Sequence, residues 1–120
     1  MSRVTTGGFG VNTGGMKMDH YSGSMDITGQ KDYLISPILD FSTAPANTQL
    51  TFGVAYAQYA AASDDELQIV ASTDCGNTWA QVYTKSGATL ATGPISTSAW
   101  TPTAAQWRTD SVDLGAYAGD

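Results

Sequence analysis

Residues 72–79 read Ser-Thr-Asp-Cys-Gly-Asn-Thr-Trp, and no other stretch limits so tightly what this chain can fold into. The octet has the makings of a self-contained turn. Asp74 is placed to accept hydrogen bonds from N–H groups of its own turn, as Asp and Asn do in Asx-turns. Gly76 can take the positive φ that a Cβ resists. Thr78 offers a hydroxyl to the same turn, and Trp79 can lay its ring over it. The flanks agree. Residues 66–72 are rich in strand formers with Leu67, Ile69 and Ala71 on one face, and residues 79–84 supply the return strand. The octet therefore predicts two antiparallel strands closed by a tight turn. The plainer reading of Ser72, Asp74, Gly76, Thr78 and Trp79 is that they lock a hairpin and carry no chemistry.

The rest of the chain reads the same way. In residues 48–57, Leu50, Phe52, Val54 and Tyr56 alternate with the small residues Thr51, Gly53, Ala55 and Ala57, the two-residue period of a half-buried strand. Residues 15–21 alternate with Met16 and Met18 inward. Residues 32–39 read as a second strand, with Pro37 forcing an edge position or a bulge because it lacks an N–H. Residues 107–114 form a last strand whose face pattern changes between Trp107 and Val112, as a bulge would cause. Residues 1–15 are loop with room for a short strand, anchored by Phe9 and Val11. Ser22-Gly23-Ser24 begins a turn, and a polar connection runs from Asp26 to Lys31. Residues 86–105 read as a long crossover with one short strand inside. No window shows a sustained helical period. Six or seven strands with turn signals between them predict an all-β sandwich in a single domain spanning 1–120.

Charge narrows the partners. Five basic residues against eleven acidic ones leave a net charge of −6, and Arg3, Lys17, Lys31, Lys85 and Arg108 are dispersed. Nucleic-acid binding needs clustered cations, so it is not expected. No apolar run approaches the roughly 20 residues of a membrane span. Only 13% of residues are charged, a composition that suits extracellular β-sandwiches. The single cysteine, Cys75, has no internal partner for a disulfide. It reads as a free thiol, or as one that pairs outside this sequence. As a nucleophile it would want a histidine, and nothing places His20 near it.

The motif S-x-D-x-G-x-T-W is known as an Asp-box. Sialidase propellers repeat it on several blades; here it occurs once, in a chain too short for such a propeller. Other motifs follow in order: Asp32-Tyr33-Leu34-Ile35-Ser36-Pro37, Leu50-Thr51-Phe52, Asp65-Glu66-Leu67-Gln68-Ile69, Val82-Tyr83-Thr84-Lys85-Ser86-Gly87, Gln106-Trp107-Arg108, and Val112 to Gly119. Their order and spacing, from about residue 9 to 120, resemble the MAM-like, cleaved-adhesin type of jelly-roll domain in large secreted bacterial proteins. The resemblance implies a concanavalin-like jelly-roll antiparallel β-sandwich, non-catalytic, in some members with structural calcium. It also implies a fragment of a larger protein lacking terminal strands. Open sheet edges invite pairing, so homo-oligomerisation through them is expected.

Asp64, Asp65 and Glu66, joined by Asp32, are the candidate calcium ligands, since calcium takes several carboxylate and carbonyl oxygens on loop backbone. The alternative is a solvated acidic turn with Asp65 capping backbone N–H groups. Tyr56, Tyr59, Trp79 and Trp100 are the aromatics to weigh for sugar stacking, and Tyr59, at a loop edge, is the candidate ligand-binding residue. Glycoside hydrolysis needs two carboxyls across a cleft. Asp110 and Asp113 fall on opposite faces of one strand, and Asp19 and Asp26 carry no motif, so no enzyme is expected. The expected function is a non-catalytic adhesion or accessory module of a secreted or cell-surface protein that binds protein or glycan. The alternatives are a carbohydrate-binding module and a structural unit pairing through its sheet edges.

Overall fold

Alternation of apolar and small residues builds the longest ribbons. In the computed structural model, which describes residues 1–7, 14–19 and 28–120, a short pair comes first: β1 (Ser2–Val4) lies antiparallel to β2 (Gly15–Lys17). The β3 strand (Gln49–Val54) pairs with β6 (Arg108–Asp113), from Gln49 opposite Asp113 to Val54 opposite Arg108. The β4 (Glu66–Ala71) and β5 (Ala80–Ser86) strands form the hairpin closed by residues 72–79. The chain is thus all-β and antiparallel. The described residues form three two-stranded sheets, with one single-turn helix, α1 (Gly87–Leu90), and two 3-10 turns.

Side-chain parity decides which faces meet. On the β3–β6 ribbon Phe52, Val54, Arg108, Asp110 and Val112 are shielded, while Thr51, Gly53, Thr109 and Ser111 face out. On the hairpin Leu67, Ile69, Tyr83 and Lys85 turn inward, whereas Glu66, Gln68 and Thr84 face water. The Tyr83 ring meets Phe52 edge-on at 5.3 Å and 83°. Its hydroxyl and Lys85 Nζ both reach Asp110. Those contacts tie one ribbon to the other.

Helix α1 turns the chain away from β5. Gly87 has φ +46° there, and a Cβ would come within 2.9 Å of Asp64 Oδ1. Leu90, Val112 and Leu114 are shielded from water. These are the buried apolar side chains among the described residues, and none is fully buried.

Several expectations need correction. Residues 32–39 form no strand. A strand exists only against a partner edge, and none of the described strands lies along this segment. Met16 and Met18 are exposed rather than inward, because the face of β2 that meets the protein is that of Gly15, where an added Cβ would sit 3.5 Å from the Trp107 ring. The crossover 86–105 holds α1 and a 3-10 turn (Ala104–Gln106) in place of a strand. The bulge lies in the hairpin, between Ile69 and Val70, and not in β6. There Ile69 opposes Tyr83 and Val70 opposes Gln81, which leaves Val82 as the extra residue. Phe9, Val11, His20, the Ser22-Gly23-Ser24 turn and Asp26 lie outside the described residues.

Candidate functional site

Three features could carry function: the 72–79 turn, an ion-pair cluster between the ribbons, and the strip 33–39. The turn is internally saturated. Ser72 Oγ donates to Asp74 Oδ1 and accepts from the Gly76 N–H. Asp74 Oδ1 also accepts the Thr78 N–H at 2.8 Å, and Oδ2 accepts the Thr78 hydroxyl at 2.7 Å. These bonds, those from Thr78 foremost, hold the Asp74 carboxyl at about 2, below the usual carboxylate range. Trp79 Nε1 donates to the Gly76 carbonyl, which pins the indole over the turn with half its surface in water. Cys75 is an exposed free thiol at φ 58°.

Gly76 adopts φ +87°, and an added Cβ would sit 3.4 Å from the Trp79 ring. Gly76→Ala is therefore expected to cost about 1 kcal/mol. The urea midpoint of the variant checks this.

The cluster centres on Asp110, which is 8% exposed. Arg108 grips it with two parallel bonds, Nε to Oδ1 at 2.9 Å and Nη2 to Oδ2 at 3.0 Å. Tyr83 Oη donates at 2.6 Å and Lys85 Nζ at 3.1 Å. The guanidinium also reaches the Leu90 and Ala91 carbonyls at the end of α1. The Arg108 bonds, followed by those of Tyr83 and Lys85, outweigh burial and keep the Asp110 carboxyl near 2. Burial and the adjacent carboxylate push the Tyr83 phenol up to about 12. Oδ2 thus accepts three of these bonds and Oδ1 one, so the carboxylate is held in its ionised form by four donors. The cluster is a cross-tie between ribbons and helix, legible in the sequence only as Arg108 and Asp110 sharing a strand face.

The four candidate calcium ligands are apart in their allegiances. Asp65 Oδ2 accepts the Tyr56 hydroxyl. Glu66 faces outward and accepts from Gln68 and Thr84. Asp64 lies beside Gly87, and Asp32 Oδ2 accepts from the Met1 amine. Among the described residues no three His, Cys, Asp or Glu side chains gather as a metal site. Successive residues entering β4 point to alternate sides, which disperses the acids. Tyr59 stands half exposed at its loop edge.

The strip 33–39 is the feature whose state the sequence did not disclose. Ile38 is 89% exposed, Tyr33 75% and Ile35 74%, with Leu34 and Leu39 also open. Beyond it Phe41 is tied to the chain end, its N–H donating to Asp120 O and its carbonyl accepting from Gly119. Both parities of the strip are apolar. That pattern marks a strand covered on two faces, yet here it is covered on neither. The available signal was Pro37 together with this loss of alternation.

No helix among the described residues is long and apolar enough to cross a membrane. No family model, curated protein or solved structure matches the chain.

Proposed function

We propose that this chain is a non-catalytic accessory module of a secreted or cell-surface bacterial protein, a jelly-roll sandwich of the MAM-like kind, that works by binding another protein. The exposed strip 33–39 carries the reading: five large apolar side chains in seven residues stand open to water. Exposed apolar surface of that density is typical of protein-binding sites. The saturated turn and the Asp110 cluster supply a stiff support, which suits presentation more than chemistry. A second reading, a carbohydrate-binding module, draws on the half-exposed rings of Tyr59 and Trp79.

Beads coated with the chain and washed over immobilised proteins and glycans separate the two. The first reading expects retention on protein surfaces that Ile38→Lys removes and Tyr59→Ala leaves intact. Retention on glycans alone, lost with Tyr59→Ala and indifferent to Ile38→Lys, would replace it with the second.

A further inference from the structure

We infer that the partner is a second copy of this chain, the strip 33–39 of each copy adding as a strand to the free edge of β3 in the other. The inference rests on the protein-binding reading and names its partner. The strip itself points this way first: Tyr33, Leu34, Ile35, Ile38 and Leu39 all stand open to water, apolar surface of the kind that another chain covers.

The choice of edge follows from charge and parity. Sheet proteins guard exposed edges with charges and bulges. Glu66 lies on β4, Lys85 and the bulge on β5, and Arg108, Asp110 and Asp113 on β6. The β3 strand carries no charge. The Leu114 N–H donates to Thr48 O, so residues 48, 50, 52 and 54 turn their backbone groups to β6. Gln49, Thr51 and Gly53 turn theirs away, and β3 has no other strand partner among the described residues. The strip matches this edge. It is uncharged from 33 to 39, which matters for two copies each carrying −6. Pro37 cannot donate, so its parity must face outward. The bonding residues are then Leu34, Ser36 and Ile38. Two reciprocal contacts of this kind close a two-fold dimer in which each copy is both donor and acceptor.

Sedimentation of the whole chain from low to high micromolar concentration tests this. The wild type is expected to move from monomer to dimer mass. Ile38→Lys and Thr51→Lys, both at exposed positions, are each expected to weaken the dimer by about tenfold or more, with circular dichroism and melting unchanged at the monomer limit. A monomer at every concentration overturns the inference, and so does a dimer indifferent to both substitutions. If the chain stays monomeric while its beads still bind protein surfaces through Ile38, the module reading stands and only the self-partner falls.

Discussion

Replacing Asp110 with alanine is expected to lower the unfolding free energy by about 2–4 kcal/mol. The loss comes less from the pairs themselves than from what they leave behind: Arg108, Lys85 and Tyr83 would face one another with no anion among them. Arg108 and Lys85 are about one third exposed, so water takes up part of their charge and the lower half of that range is favoured. Asp110→Asn keeps an acceptor for the Tyr83 hydroxyl and should cost less. The pH dependence has a definite sign. The carboxyl of Asp110 is depressed to about 2 in the folded chain, against about 3.9 in an unfolded one. Its contribution is therefore fully present above about pH 4 and is lost as pH falls through about 2, an amount of about 2 kcal/mol. Arg108, whose bonds to Asp110 raise it above its ordinary value, stays protonated throughout that window. Asp74 titrates in the same window with the same sign. The difference between wild type and Asp110→Ala in urea melts from pH 7 to 2 isolates the Asp110 part.

Leu90→Ala is expected to destabilise by about 2–3 kcal/mol, low in the range for buried leucines because a single-turn helix can settle into the gap. At 4% exposure Leu90 is one of three buried apolar side chains among the described residues. With so small a core the same loss is a large share of total stability. A thermal midpoint lower by about 10 °C is expected, read by calorimetry. An equal substitution at Ile95, which is exposed, should leave the midpoint nearly unmoved.

Local chemistry was legible in the sequence, and long-range pairing was not. The 72–79 turn could be read because its bonds run between residues no more than four apart. The alternation of Leu67, Ile69 and Ala71 gave the inward face of β4 for the same reason. Residues 32–39 were read as a strand from composition, and composition cannot supply the edge against which a strand forms. The Asp110 cluster joins β5 to β6 across 25 and 27 residues. That joining depends on how two ribbons face each other, for which no local pattern exists. The acids at 64–66 looked like a ligand set because they are adjacent, yet adjacency in an extended chain separates side chains. The small core is the counterpart of the open strip: the large apolar side chains of residues 33–39 find no cover among the described residues.

Amide hydrogen exchange across residues 33–39, at low and high chain concentration, decides whether the strip pairs as a strand. An association strip pairing with another edge should show slowed exchange at Leu34, Ser36 and Ile38 that grows with concentration, while Tyr33, Ile35 and Leu39 stay fast. Fast exchange at all six positions at both concentrations would mean that the strip pairs with no edge.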